Sequence, residues 1–180
     1  MKKTKNTTNL FIRECITQAL IKLMKTKPLS SITITELTKS AGVSRMSYYR
    51  NFNSKEEIFS SYLETIFSEY EEYSKYTISG GVYYDTEHLT HYLTFILKYK
   101  DFLYALTDNG YSSLFLMAIT EYMLNNWHIN KSNNVEYYTL IVFAGGLYNI
   151  YISWAKNDFK EEPEEIVNAL SNIHYHKILE

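Results

Sequence analysis

The sequence predicts an all-α protein, in which an N-terminal three-helix head with a helix-turn-helix continues through a long helix into a C-terminal helical domain. Three observations predict this fold class. Only two prolines and six glycines occur in 180 residues, which favours long helices over a turn-rich sheet. Apolar residues recur at three- and four-residue spacing along most of the chain. Helix-capping residues also fall at regular intervals between residues 33 and 59.

The first helix is predicted from about Thr8 to Lys25, after a short basic segment that we expect to be mobile. Its apolar residues recur on one helical face: Phe11, Cys15, Ala19, Leu20 and Leu23. Pro28 lies in the turn that follows. The chain has one cysteine, so an internal disulfide is excluded, and we expect Cys15 to be a packing residue in a reducing cytoplasm.

Residues 33 to 59 carry the signals of two short helices joined by a tight turn and followed by a third helix. Two pairs have the spacing of a capping box: Thr33 with Glu36, and Ser54 with Glu57. Between them, Gly42 suits the left-handed end of one helix and Ser44 can cap the next. This order is typical of a helix-turn-helix.

The second helix of this motif, from Arg45 to about Phe52, has an apolar side and a polar side. Tyr48 and Phe52 are four residues apart and should point inward with Val43. The other positions should face outward: Arg45, Met46, Ser47, Tyr49 and Arg50. A helix-turn-helix contacts base edges from the N-terminal part of this helix, so the pattern predicts a DNA-binding surface.

Three runs of residues 34–59 are distinctive: Ala41-Gly42-Val43-Ser44, Tyr48-Tyr49-Arg50-Asn51-Phe52 and Ser54-Lys55-Glu56-Glu57. In these runs, residues 34–59 resemble the DNA-binding head of the TetR (TetR/AcrR) family of bacterial regulators. The resemblance implies that Thr33, Tyr49 and Lys55 contact phosphates. It implies that the major groove is faced by Thr35, Arg45, Met46, Ser47 and Arg50, and Ser44 and Asn51 complete the expected DNA-binding set. Met46 and Tyr48 depart from the common pattern of the family.

The charge distribution supports a polyanionic partner at one end of the chain. Residues 1–58 contain 11 Lys/Arg against 4 Asp/Glu, a net charge of +7, whereas residues 59–180 contain 7 against 16, a net charge of −9. We therefore expect a DNA-binding domain over residues 1–58 and a second domain over residues 59–180.

The rest of the chain is predicted to be helical. The predicted segments, in order, are a long helix from Ser54 to about Tyr76, a glycine-containing loop from Thr77 to Asp85, a helix capped by Thr86, a short helix from Asp101 to Leu106, a helix opened by Ser112 or Ser113, a helix within Asn133–Asn157, and a helix from Pro163 to about Ile173. The most apolar stretch, residues 140–155, is short for a membrane span, so no membrane partner is expected.

Aromatic residues dominate the C-terminal part, where 16 of the 18 tyrosines and both tryptophans follow residue 58. Such rings can form a pocket for an aromatic or amphipathic small molecule, or they can simply pack helices together. The candidate ligand-binding residues are Phe67, Tyr70, Phe102, Phe115, Tyr122 and Phe143.

The last third of the chain contains Phe143-Ala144-Gly145-Gly146, Trp154 and Lys160-Glu161-Glu162-Pro163-Glu164-Glu165. Through these residues, residues 137–173 also resemble the regulatory domain of short TetR-like proteins of Firmicutes. It implies a homodimer in which the last two long helices pair with their copies. The candidate interface residues are Gly145, Gly146, Trp154, Ile166 and Leu170.

These observations favour a cytoplasmic, homodimeric DNA-binding regulator that represses transcription from a pseudo-palindromic site and responds to a small molecule. The alternative is a co-activator or interaction module that acts with a second protein. Enzymatic signals are poor, since the sequence has no phosphate loop, nucleophile elbow or Cys/His constellation. His88 and His91 could face a metal but lack further ligands at a recognisable spacing, so no catalytic residue, metal or cofactor is predicted.

Overall fold

The structure, a computed structural model, describes the backbone of residues 2–77 and 80–171 and the side chains of residues 9–75 and 80–170. The described residues form nine α-helices and no strand: α1 (Lys2–Met24), α2 (Ile34–Ala41), α3 (Arg45–Asn51), α4 (Lys55–Thr77), α5 (Thr86–Leu97), α6 (Lys100–Asp108), α7 (Ser112–Trp127), α8 (Asn134–Lys156) and α9 (Pro163–Ser171). The all-α prediction is confirmed. Within these ranges, no helix combines the length and apolarity that a membrane crossing requires.

The chain divides into two compact units. The first unit contains Met1–Thr65 and Asp101–Phe115, and the second contains Ile66–Lys100 and Leu116–Glu180. Residues 101–115 therefore belong to the first unit, although they follow residues of the second unit in the sequence. The expected single boundary after residue 58 does not include this return. The helix α4 has its N-terminal half in the first unit and its C-terminal half in the second.

The first unit is built on α1, which packs against α2 and α3. Its core includes Ile16, Leu20, Leu37, Tyr48 and Phe52, each 2% exposed or less. Burial of these side chains removes a large apolar area from water, which is the main favourable term in forming the unit.

The buried face of α1 differs from the predicted one. Phe11 is 69% exposed and Cys15 is half-buried, whereas Ile16, Ile21 and Met24 are buried. Apolar residues occupy more than one side of α1, so helical spacing alone could not identify the side that meets α2. The helix also begins at Lys2 rather than near Thr8, because no glycine or proline interrupts the preceding residues.

The predicted caps of the helix-turn-helix are present. The Thr33 side chain accepts a hydrogen bond from Glu36 N, and the Ser44 side chain accepts one from Ser47 N. Gly42 ends α2 in the left-handed conformation with φ 66°. Neither capping box closes in the reciprocal way, however. The carboxylate of Glu36 binds Lys27 Nζ at 2.5 Å, and that of Glu57 accepts from the backbone N–H of Asn53 at 2.7 Å.

Two other caps refine the helix bounds of the second unit. Asp85, rather than Thr86, caps α5, and its carboxylate accepts from His88 N at 2.8 Å. Asn133 caps α8, and its side chain accepts hydrogen bonds from Val135 N and Glu136 N. Pro163 opens α9, where its missing N–H leaves no helical bond unmade. The predicted end of this helix near Ile173 lies outside the described residues.

The helix α8 has two apolar sides. One side lies in the core of the second unit and includes Leu140, Ala144 and Tyr151, which have no exposed surface. On another side, Val135 and Val142 are 76% and 72% exposed. One side of α8 therefore packs in the core of the second unit, and the other side leaves an apolar stripe exposed on the surface of the monomer.

The left-handed Gly42 provides a test of the turn between α2 and α3. A Cβ at this position would meet nothing within 4 Å, so Gly42→Ala should suffer only the backbone penalty and lose about 1–2 kcal/mol of unfolding free energy. Gly42→Asn should lose less, because asparagine tolerates this conformation. Chemical denaturation followed by circular dichroism measures both values. Equal losses for the two variants would contradict the explanation.

Candidate nucleic-acid interface

The outer side of α3 is a polar surface at one side of the first unit. Arg45, Met46, Tyr49 and Arg50 are exposed, with Met46 at 63% and Tyr49 at 53%. These side chains therefore project away from the core as predicted. They combine two guanidinium groups with a hydroxyl and a thioether, which suits hydrogen bonding to phosphates and base edges.

Three smaller polar residues of the predicted DNA-binding set are engaged within the motif. The hydroxyls of Ser44 and Ser47 are 2.9 Å apart, and the Asn51 amide donates to the carbonyl of Ser47 at 2.8 Å. Ser44 is exposed, whereas Ser47 and Asn51 are half-buried. They shape the ends of α3, while the side chains of Arg45, Tyr49 and Arg50 are exposed and can donate to a ligand.

The inner side of α3 is anchored by two rings. Tyr48 has no exposed surface and Phe52 is 1% exposed, with their ring centroids 6.1 Å apart. Burial raises the pKa of Tyr48 to about 12, so its hydroxyl stays neutral at physiological pH. The Tyr49 ring meets Tyr48 edge-on at 5.2 Å, which orients the exposed tyrosine.

Arg13 of α1 is a positioning residue that the sequence interpretation missed. Its Nη1 donates to the backbone carbonyl of Asn51 at 3.1 Å, and its Nη2 donates to the hydroxyl of Ser61. The guanidinium carbon lies 4.5 Å from the centre of the Phe52 ring. Arg13 thus ties the C-terminal end of α3 to α1 and α4. The sequence feature that could have indicated this role is the position of Arg13 three residues before Ile16, which is on the buried side of α1.

The start of α2 contributes the remaining predicted residues. Thr33 and Thr35 are both exposed, and the Thr33 hydroxyl already accepts the capping bond. Lys55, expected to contact phosphate, is half-buried, and its Nζ donates to the carbonyls of Leu29 and Ile32 at 2.6 and 2.7 Å. The ammonium therefore holds the turn that precedes α2, a role that the resemblance did not imply.

The second unit contains a narrow cavity of about 20 Å³. Its walls come from α4, α5, α7, α8 and the loop before α5. The lining residues are Tyr70, Tyr83, His88, Leu89, Tyr92, Ile119, Tyr122, Met123, Trp127, Phe143 and Leu147.

The structure brings together three of the six candidate ligand-binding residues. Tyr70, Tyr122 and Phe143 line the cavity, and Phe67 packs on Tyr122 with ring centroids 5.6 Å apart. Phe102 and Phe115 lie in the core of the first unit, where both are buried. The sequence interpretation missed Tyr83, Tyr92 and Trp127. Helical spacing relates Tyr92 to His88 and Leu89, and Trp127 to Met123, whereas Tyr83 lies in a loop and has no such signal.

Four of the five candidate dimer residues remain at the surface. Gly145 and Gly146 are half-exposed, and a Cβ added to either would meet nothing within 4 Å. Ile166 and Leu170 line an open groove of about 440 Å³ between α8 and α9. Trp154 is 3% exposed, and its indole N–H donates to the carbonyl of Glu161 at 2.9 Å. It therefore fastens the turn between the two helices.

The two histidines of α5 have separate surroundings. His88 Nδ1 lies 2.9 Å from Asp85 Oδ1, and His91 stacks on Tyr73 with ring centroids 4.4 Å apart. Across the described residues, no three His, Cys, Asp or Glu side chains gather in a way that could hold a metal ion.

Two family models match the chain. Residues 16–62 match the model of bacterial regulatory proteins, tetR family, and residues 86–175 match the model of a transcriptional regulator C-terminal region. The first match contains the whole helix-turn-helix, and the second contains the cavity walls from α5 onward together with α8 and α9.

Individual proteins are similar to a part or to most of the chain. The nucleoid occlusion factor SlmA of Marinobacter nauticus is 40% identical over 52 residues, which are 29% of this chain and only 27% of that protein. The solved structure of the dihydroxyacetone kinase operon activator DhaS has a TM-score of 0.60 at 17% identity, with 90% of this chain and 93% of that chain covered. The second likeness is one of fold.

The Arg13 contacts predict a local change in α3. Arg13→Ala removes hydrogen bonds from a charged donor, each of which contributes up to about 1.5–3 kcal/mol. Because local opening of α3 then costs less free energy, the backbone amides of α3 should exchange hydrogen at least tenfold faster. Arg13→Lys should be intermediate, because lysine lacks the planar fork. Hydrogen exchange read by mass spectrometry measures the effect, with the exposed Lys22→Ala on the same helix as control. Unchanged exchange in α3 would refute the positioning role.

Proposed function

The chain belongs to the TetR family of bacterial regulatory proteins, and is a DNA-binding transcriptional regulator rather than an enzyme. From this premise we propose that it is a cytoplasmic, homodimeric repressor that binds a pseudo-palindromic operator and leaves it when a small molecule binds the second unit.

The observation that carries the proposal is the exposed polar side of α3 on a rigid support. Arg45 and Arg50 are exposed on a helix whose opposite side is buried through Tyr48 and Phe52. The first 58 residues have a net charge of +7, so a duplex is attracted at long range and α3 is presented to its major groove. Arg45, in the first turn of α3, is the best placed to read a guanine edge.

A dimer is supported by the outer stripe of α8. Val135, Tyr138 and Val142 are 76%, 64% and 72% exposed, and their spacing continues to Gly145. Glycine at this position lets a second helix approach closely, although each glycine within a helix destabilises it by about 1 kcal/mol relative to alanine. On a pseudo-palindromic operator, the two α3 helices of such a dimer would enter successive major grooves about 34–36 Å apart, one turn of DNA.

A ligand response is supported by the course of α4. This helix carries Lys55, which holds the turn before α2, and also Tyr70, which lines the cavity of the second unit. A ligand that displaces the cavity wall can therefore act on the head through one continuous helix. A coupling free energy of about 1–3 kcal/mol would lower operator affinity 5- to 150-fold.

The test is an electrophoretic retardation assay on the DNA that flanks the gene of this protein. Retardation by the purified protein alone supports the proposal, and footprinting then gives the operator. Retardation only in the presence of a second protein would support the alternative, a co-activator or interaction module. No retardation with either would contradict both.

Arg45→Ala should reduce binding to the operator more than binding to random DNA. The loss should be about 1–3 kcal/mol on the operator, because a base contact disappears with the charge. The exposed Lys131→Ala, in the second unit, removes one positive charge away from α3 and serves as control. Fluorescence anisotropy on operator and random duplexes measures the ratio. An equal loss on both duplexes would show that Arg45 contacts phosphate only.

Val142→Glu should dissociate the homodimer at micromolar concentration. The carboxylates of two copies would meet in an apolar contact from which water is excluded. Met117→Glu is the matched control, because Met117 is 65% exposed on α7 and lies outside the α8 stripe. Sedimentation equilibrium gives the mass of each variant. A dimeric Val142→Glu protein would place the interface elsewhere.

A further inference from the structure

The cavity of the second unit is walled mainly by aromatic rings. Six of its eleven lining residues are tyrosine, tryptophan or phenylalanine, contributed by four helices and one loop. Tyr70 and Tyr122 meet at 5.3 Å, and Tyr83 meets Phe143 at 4.8 Å and Trp127 at 5.5 Å. Ring faces carry negative potential and attract cations, most strongly where water is excluded.

The charges near this cavity are predominantly negative. No lysine or arginine is among its described lining residues. Burial raises the pKa of Tyr83, and the Glu136 carboxylate contributes in the same direction. Burial raises the pKa of Tyr122 as well, with the Glu71 carboxylate adding to the increase and the Ser74 hydrogen bond and Lys75 opposing it. The Lys75 ammonium is itself paired with Glu71 and Glu72 at 3.0 and 3.1 Å. A carboxylate or phosphate ligand would therefore find no lysine or arginine among the described residues of the wall.

Two polar groups in the wall can accept a hydrogen bond. Tyr92 is 5% exposed, and its hydroxyl has no hydrogen-bond partner among the described residues. An unpaired hydroxyl in such a site is costly, and a ligand can satisfy it. His88 Nδ1 is held by Asp85 Oδ1 at 2.9 Å. When Nδ1 carries the proton of the neutral imidazole, Nε2 is an acceptor.

From these observations we infer that the cavity binds an organic cation with an aromatic or apolar body, either a quaternary ammonium or a protonated amine. The rings surround the positive charge, and the Tyr92 hydroxyl pairs with a polar group of the ligand. This inference rests on the proposed ligand response and names the class of effector.

Entry of such a ligand requires the wall to open. A cavity of about 20 Å³ holds about one water molecule. Tyr83 is the wall residue that comes from a loop, and it is half-exposed. Gly81, two residues before it, has φ 90°, a conformation that a side chain would strain. Displacement of the Tyr83 ring from Phe143 and Trp127 is the least restricted way to widen the cavity.

The test compares a cation with a neutral molecule of the same shape. We expect (3-hydroxyphenyl)trimethylammonium to bind the purified full chain about 5- to 30-fold more tightly than 3-tert-butylphenol, the ratio that corresponds to about 1–2 kcal/mol of cation–π attraction. Titration calorimetry measures both. The protonated 3-(aminomethyl)phenol distinguishes the two sources of charge: tighter binding than the quaternary ion indicates an amine effector. Equal affinity for the neutral molecule, or no binding of either cation, would overturn the inference.

Two substitutions place the cation at the rings. Tyr122→Phe keeps the ring and should change the affinity less than twofold, whereas Tyr122→Leu should lower it at least fivefold. In a Trp154→Phe background Trp127 is the only tryptophan of the chain, so cation binding should change its fluorescence. Circular dichroism verifies the fold. If a variant does not fold, the comparison of cation and neutral molecule on the unsubstituted chain decides.

DNA binding is measured separately on the same samples. A cation that binds with the expected preference but does not release DNA supports the cavity assignment and contradicts the ligand response. DNA binding that persists normally while neither cation binds overturns only the cavity assignment.

Discussion

The helix α3, which we propose faces DNA, is too short to be stable by itself. α3 has seven residues, about two turns, and an isolated helix of this length is not populated in water. Its conformation and direction therefore depend on tertiary contacts, namely the burial of Tyr48 and Phe52 and the bonds that Arg13 makes at its C-terminal end. The proposed contacts of the exposed α3 side chains with DNA depend on this support. If α3 were displaced, its side chains would lose their contacts with base edges, whereas the positive charge of the surface would remain.

The same support extends through the first unit to residues 101–115. Asn109 accepts a hydrogen bond from the backbone N–H of Leu29, and Asp101 pairs with Lys25 at 2.6 Å. Phe59 of α4 packs on Phe102 and Tyr111. The exposed ion pair contributes little to stability, whereas Phe59 and Phe102 are both buried and remove apolar surface from water. The turn before α2 is thus held by Lys55 from one side and by Asn109 from the other.

Local features of the chain were predictable, and non-local ones were not. Thr33, Gly42 and Ser44 determine caps through neighbours within three residues, so their roles could be read from spacing. The side of α1 that is buried depends on where α2 lies, and the placement of Phe102 depends on the return of residues 101–115 to the first unit. Lys55 shows the same limit, since its two carbonyl partners are more than 20 positions away. The cavity walls come from five segments, and no single helical pattern contains them.

The outward apolar stripe of α8 has an evolutionary consequence in the proposed homodimer. A two-fold contact pairs each residue with its own copy or its near neighbour, so one mutation changes both sides of the contact at once. After a gene duplication, a few replacements at positions such as Val142 would suffice to stop the two products from mixing. Related regulators in one cell could in this way become insulated from each other while their DNA-reading heads remain almost unchanged.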